Sequence, residues 1–418
     1  MDNLCHTLVG AALGEAGLAR RKPLATATLL IGANLPDVDG FTYAFLDGPT
    51  SLAFRRGWTH GVLAMVILPV LLAAAMVGFD QMVRRRRPEK SRGQALRACT
   101  RRSSRLPARF RALLLPAFAS VLSHPLLDFL NTYGVRFLSP FSERWFYGDT
   151  LFIVDPWVWI ALALGITLSR VARRRSPARA ARPARIALAL ATAYVAVMMV
   201  SSFVGRGVVR RAAEAAGFQP SGRVLVAPLP LVPTWRMTLF EERDGYRFGS
   251  LHWTPKPVVR FQEFHRVGAD DPAVAAARQM RPFRQFLVWA RFPHYDVRRE
   301  AGSAIVEARD ARYPGRAGSW ASVTAVVPEN PPGGAASESR RVDFARRDPA
   351  RGTDTATIFR MKLTRFAALA LTGGLAVVSV APAASRSVLP WVEDDYAKAL
   401  SQARAKDVPI FVEAWAPW

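Results

Sequence analysis

Long apolar runs alternate along the chain with short, strongly basic connections. Four runs approach bilayer length: "GVLAMVILPVLLAAAMVGF" (61–79), "ALLLPAFASVLSHPLLDFL" (112–130), "LFIVDPWVWIALALGITLS" (151–169) and "ARIALALATAYVAVMMVSSF" (184–203). A helix needs ~20 mostly apolar residues to cross the hydrocarbon core, so each run predicts a spanning helix. Two shorter segments, 4–19 and 24–35, flank "RRK" (20–22) and predict short spans, tilted helices or a re-entrant hairpin. After residue 205 the pattern changes. "RVLVAPLPLV", "WRMTLF" and "YRFGSLHW" carry strand-forming residues broken by Pro and Gly, which predicts a small β-rich domain over 205–355. The expected fold class is thus an α-helical polytopic membrane domain, residues 1–204, followed by that β-rich domain.

Charge orients this arrangement. The chain has 418 residues, half of them hydrophobic, and a net charge of +25. The excess crowds into "RRRRPEKSRGQALRACTRRSSRLPARFR" (84–111) and "RVARRRSPARAARPAR" (170–185), each between apolar runs. Cytoplasmic loops of membrane proteins carry such an excess of Lys and Arg. With both loops inside, 131–150 lies outside, and the helix from 184 delivers the β-rich domain to the periplasm. "RRK" falls inside as well, so Met1 and the loop 36–60 face the periplasm. The expected setting is a bacterial inner membrane, crossed several times, with membrane lipids as partners. Basic runs of this kind are topology signals or solvated faces, so no specific nucleic-acid partner is expected.

The end of the chain reads differently. "PENPPGGAASESRR" (328–341) has linker composition. Residues 356–387 join a linker to "MKLTRFAALALTGGLAVVSVAPAASRS", which has the basic start, apolar centre and small-residue ending of a secretory signal peptide. In 388–418, "VPIFVEAWAPW" looks like the truncated start of a thioredoxin-like domain. Two readings follow: a second, truncated reading frame fused at Met361, or a C-terminal anchor with an amphipathic tail. The cysteines are Cys5 and Cys99, so neither a disulfide framework nor a redox dithiol is expected.

Ionisable groups in or beside spanning segments are costly and point to function. His6, His60 and His124 fall at such places, and His124 and Asp128 of "SHPLLD" share one helix face a turn apart. Asp37 and Asp39 follow Pro36, whose fixed φ favours an extended path on which alternate residues point the same way. On the topology above, all of these reach the same membrane face. Nitrogen and oxygen ligands without thiolates suit Zn, Mn or Fe. The expected metal ligands are His6, Asp37, Asp39, His60, His124 and Asp128. Asp39 or Asp128 would orient or deprotonate a water, and Arg56, with Arg55 and Arg136, would hold an anionic group. Asp149 and Asp155 read as helix caps or turn residues, with a ligand role as the alternative.

In this order, "MDNLCHTLVGAALG", "GANLPDVD", "RRGWTH", "SHPLLDFLNTYGVRFLSPFS" and "DTLFIVDPWVW" resemble the YdjM-like inner-membrane metal-dependent hydrolases over residues 1–170. "VPTWRMTLFEERDGYRFG" is similar to that family's post-membrane segment. The family is distantly similar to zinc-dependent phospholipase C and related nucleases, which use a polar residue near the N-terminus, an Asp followed by a His, and HxxxD and HxxxE pairs. The resemblance implies His6, Asp37 or Asp39, His60, and His124 with Asp128 for the first parts. A second HxxxE pair is missing, which implies one or two ions, with Asp155 as a substitute ligand. The function expected is a metal-dependent hydrolase of a phosphoester, an anionic small molecule or a lipid. The alternative is a non-catalytic transporter or assembly protein with structural His/Asp pairs.

Overall fold

The computed structural model describes residues 1–20, 22–85, 107–300, 302–313 and 319–329. Residues 330–341 of the expected linker, the signal-like segment and the thioredoxin-like fragment lie outside the described residues, as does Cys99.

Two short helices open the chain, α1 (Asn3–Leu13) and α2 (Ala25–Gly32). Asp2 caps α1 by accepting from the backbone N–H of Cys5 at 3.0 Å, which fixes His6 one turn into the helix. With a rise of about 1.5 Å per residue, neither helix crosses a bilayer alone. They pack together instead: a Cβ on Gly10 would lie 2.7 Å from the Leu29 carbonyl oxygen. Asn34 ties them further, donating to Thr7 Oγ1 at 3.0 Å.

The long helices follow, after a short α3 (Gly48–Phe54): α4 (Val62–Arg85), α5 (Phe110–Phe129), α6 (Pro156–Arg175) and α7 (Arg182–Ala215). Three of them, α4, α5 and α7, are long and apolar enough to cross a membrane. The expected span 151–169 is displaced. Asp155 caps the helix by accepting from the N–H groups of Trp157 and Val158, so α6 begins at Pro156 and runs on into Arg173, Arg174 and Arg175. Those arginines replace apolar length at its end.

Small residues let the helices approach. Ala25, Leu72, Ala73, Leu113, Ala117 and Val121 make the core between α2, α4 and α5. A side chain on Gly32 would collide with Ser120. Between α6 and α7, Gly165 faces Ala187, and Ser169 accepts from the Ala184 N–H at 2.9 Å.

The β-rich part has two antiparallel layers. Strands β1 (Val224–Pro228), β2 (Trp235–Glu242), β3 (Gly245–His252) and β4 (Val258–Arg266) form a meander in sequence order. Its inner face packs on the end of α7, with Val209 and Ala213 against Val226, Phe240 and Leu251. Helices α8 (Pro272–Gln279) and α9 (Arg281–Trp289) then cover a second sheet of β5 (Pro293–Glu300), β6 (Ser303–Asp310) and β7 (Ser322–Pro328). Phe283, Phe286 and Trp289, three residues apart on α9, form one buried stripe against Val306 and Val323. Leu52 of α3 enters the same core. This layer therefore holds the segment that leads directly into Arg55, Arg56 and His60.

Candidate metal centre

His124 and Asp128 lie on α5 and point to one side, as their spacing requires. Asp37 and Asp39 do not lie on an extended path. Leu35–Ala44 is a 3₁₀ helix with Pro36 in its first turn, where proline's fixed φ suits helix and extended chain alike. Three residues per turn separate the two acids by about two-thirds of a turn, so they meet opposite ring nitrogens of His60, Asp37 at Nε2 and Asp39 at Nδ1, while both lie near Arg55. Asp37 turns toward the imidazoles of His60 and His124. Asp39 turns toward the loop: its Oδ2 accepts from the Arg56 N–H at 2.7 Å and from Thr59 Oγ1 at 3.0 Å.

Asp37, His60, His124 and Asp128 each place one ligand atom within 4.8 Å of the other three. His60 Nε2 stands 3.3 Å from Asp128 Oδ2, and His124 Nε2 stands 3.5 Å from the same oxygen. Asp37 Oδ1 is 3.7 Å from His124 Nε2 and 4.0 Å from His60 Nε2. Ligands bound at about 2.1 Å in a tetrahedron lie about 3.4 Å from one another, so the His60–Asp128 and His124–Asp128 pairs already have that spacing, while the Asp37 oxygen must move closer to both imidazoles.

The hydrogen bonds around the ring nitrogens favour that use. His124 Nδ1 lies 2.6 Å from the Ala33 carbonyl, which only accepts, so Nδ1 carries the proton and Nε2 keeps its lone pair. Thr59 Oγ1 gives its proton to Asp39 and lies 2.9 Å from His60 Nδ1, so it accepts there and frees the His60 Nε2 lone pair as well. His60 Nε2, His124 Nε2 and Asp128 Oδ2 are all buried and without a hydrogen-bond partner. Buried polar atoms are nearly always satisfied, and three orphaned acceptors facing one point suit a cation. This donor set could hold a divalent metal ion.

His6 and Asp39, both expected as ligands, lie outside that group of four. His6 stacks on His124 at 3.7 Å between ring centroids, with Nε2 3.3 Å from Asp128 Oδ1. Asp39 acts one step back, orienting His60 through Thr59. Sequence reasoning passed over Thr59 and the Ala33 carbonyl; the adjacency of Thr59 to His60 was the readable signal for the first.

The arginines divide. Arg56 is buried and its backbone adopts φ +53°, held by Asp39 at its N–H and by Arg136 at its carbonyl. Its guanidinium donates to Asp128 Oδ1 at 3.0 Å and to Asn131 Oδ1 at 3.0 Å, with Nε 3.0 Å from Asp128 Oδ2 but off the hydrogen-bonding direction. The Met1 amine also donates to Asp128 Oδ1. Arg136 is taken up by the carbonyls of Ala53, Phe54 and Arg55 and by Glu143, so it braces the loop. Arg55 donates to Asp37 Oδ1 at 2.8 Å, and its side chain is 23% exposed against 5% for Arg56 and Arg136. Of the three, Arg55 has access to an incoming anion.

Asp155 and Asp149 stand elsewhere. Asp155 caps α6 and accepts from the Tyr194 hydroxyl at 3.2 Å. Asp149 is clamped by Arg206 at 2.9 Å and Arg291 at 3.0 Å. Neither supplies a substitute ligand. His252, His265 and His294 lie in the β layers, on β3, β4 and β5.

Apolar helices of bilayer length with a buried His/Asp cluster define a membrane protein fit for metal dependence. Residues 1–204 match the family model described as "YdjM inner membrane protein". Among curated proteins, "Uncharacterized protein YfhP" of Bacillus subtilis (strain 168) is 24% identical over 178 residues, covering 40% of this chain and 46% of that protein. The chain thus matches about half the length of that relative. No solved structure matches the chain.

Proposed function

We propose that the protein is a multi-pass inner-membrane hydrolase that cleaves a phosphoester, with a lipid as the favoured substrate, at a metal centre facing the periplasm. The observation that carries this reading is the convergence of His60 Nε2, His124 Nε2, Asp128 Oδ2 and Asp37 Oδ1 on one buried point. A bound Zn, Mn or Fe ion would supply an activated water and a clamp for a phosphoryl oxygen there. His60 and His124 would hold the ion through Nε2, and Asp37 and Asp128 through one oxygen each. Asp39 keeps His60 in the ligating tautomer, and Arg55 can turn from Asp37 to bind a phosphate oxygen.

The rim supports a lipid. Val38, between the two aspartates in sequence, and Phe41, Phe45, Trp58 and Phe141, in the segments that carry or adjoin the site residues, are all exposed. Large aromatic side chains around a site at a helix-bundle end suit the membrane interface. The proposed orientation draws on the opposite end of α1, where Arg173 pairs with Glu15 and Arg185 donates to the Ala16 carbonyl. The arginine-rich connection and the metal centre thus stand at opposite ends of that helix.

One observation favours the non-catalytic alternative. Arg56 neutralises Asp128 from within the protein, as in a structural ion-pair network. Metal analysis of detergent-purified protein, paired with phosphate release from mixed vesicles, separates the two. Stoichiometric metal and metal-dependent release support the hydrolase; protein without bound metal that releases nothing on adding Zn, Mn or Fe sinks it.

A further inference from the structure

Helix α7 leaves the apolar bundle with one face open, and that face ends in arginines. Val197, Val200, Phe203 and Val204 are all exposed. Gly207, Arg210 and Arg211 continue the same stripe, each three or four residues beyond the last. Phe203, Val204, Arg206, Gly207, Arg210 and Arg211 line an open groove of about 390 Å³, with three guanidiniums and no acid in its lining.

Gly207 makes the groove. Glycine inside a helix is less favourable than alanine, so its presence needs a reason. Close packing supplies one elsewhere: a Cβ on Gly205 would stand 3.0 Å from Val226 Cγ1, and one on Gly165 would stand 2.3 Å from the Ala187 Cβ. A Cβ on Gly207 would meet only Arg211 Nη1, at 3.9 Å. The space left by the missing side chain belongs to the groove.

The groove stands level with the end of α5. Gly148 donates its N–H to the Phe129 carbonyl at 2.7 Å. The next residue, Asp149, accepts from Ser202 Oγ through its carbonyl at 2.6 Å and from Arg206 through its carboxylate at 2.9 Å. Arg206 is therefore one short connection from the turn that carries Asp128. The apolar stripe leading up to it lies on a helix long and apolar enough to cross a membrane. A surface that passes from bare valine and phenylalanine to arginine within two turns suits the boundary between acyl chains and headgroups. On the proposed orientation this end faces away from the cytoplasm, where arginines are no topology signal.

Two of the three charges are available. Asp149 occupies Arg206, whereas Arg210 donates to the Gly222 carbonyl at 3.2 Å and is exposed, like Arg211. Among the described residues, none bonds or pairs with Arg211. Guanidinium groups hold phosphate oxygens as a fork, and the stripe below offers a path for acyl chains.

We propose that this groove binds an anionic phospholipid at a site separate from the metal centre, with the headgroup phosphate on Arg210 and Arg211 and the glycerol over Gly207. The proposal needs α7 to cross the bilayer, and it stands without the hydrolase reading.

Native mass spectrometry of the full chain in detergent tests it, with phosphatidylglycerol and phosphatidylcholine of identical acyl chains added in equal amounts. Phosphatidylglycerol should be retained in preference by about 25-fold, roughly fivefold for each arginine. Arg211→Gln, at an exposed position, should lower that preference roughly fivefold, and adding Arg210→Gln should abolish it. Gly207→Leu, which fills the groove with a better helix former, should abolish it as well. His124→Ala should leave it unchanged. Equal retention of the two lipids, displacement of phosphatidylglycerol by millimolar inorganic phosphate, loss of the preference in His124→Ala, or a preference indifferent to the arginine and glycine variants overturns the proposal.

Discussion

His124 Nε2 stands 3.5 Å from Asp128 Oδ2, one helical turn away on the same face of α5. This pair is the rigid half of the centre, because a single helix sets both side chains. The other half, Asp37 and His60, comes from a 3₁₀ segment and a turn that need outside support.

Replacing His124 or His60 with alanine removes one of the two imidazole nitrogens of the group of four. Metal affinity should fall by more than the ~100-fold that marks the upper range for outer-shell changes. Elemental analysis after gel filtration reads this directly. Unchanged metal content in both variants would place the ion elsewhere.

Asp39→Asn should behave differently, since Asp39 orients His60 through Thr59 without joining the ligand group. Metal should still bind, with affinity lowered about 10–100-fold, and Thr59→Val should shift it in the same direction. Competition with a chromogenic chelator measures both. An Asp39→Asn protein with unaltered affinity contradicts the orienting role.

Arg56 is the buried counter-charge of Asp128 and is itself seated on Asn131 and Tyr133. Arg56→Ala leaves a buried carboxylate short of a partner and should destabilise the fold by about 3–5 kcal/mol. Arg56→Lys keeps the charge but loses the fork, so it should fall between wild type and alanine. Denaturation in mixed micelles checks the ranking.

His294 gives the β-rich part an acid limb. Burial, with repulsion from Arg309 and His265, lowers its imidazole from 6.5 to about 4. Between those values the unfolded chain binds the proton and the folded chain does not. Its contribution is therefore intact above pH 6.5, declines as pH falls toward 4, and levels off below. His294→Gln should flatten this limb in thermal melts taken across that window, and a slope identical to wild type would assign it to other groups.

Much of the centre was legible because its elements are local. The four-residue spacing of His124 and Asp128 needs only helical geometry, and apolar length located α4, α5 and α7 to within a few residues, apart from the extensions of α4 to Arg85 and of α7 to Ala215. What escaped depended on distant partners. The path after Pro36 was ambiguous because one φ serves two conformations, and the 3₁₀ turn splits the two acids that an extended chain would align. Arg136 looked available for an anion until its guanidinium met carbonyls more than eighty positions earlier in the chain. The second sheet was missed although "RPFRQFLVW" spaces Phe283, Phe286 and Trp289 by three, a stripe readable as a helix over a buried layer.

Helix α7 runs unbroken for 34 residues, about 51 Å, from the apolar bundle into the core beneath β1. It therefore works as an axle: the azimuth of the sheets about the bundle is set by the phase of one uninterrupted spiral. Adding a single alanine midway would turn everything beyond it by about 100° and carry Trp289 away from Tyr133. Evolution can lengthen this protein between its halves only in steps that nearly complete whole turns.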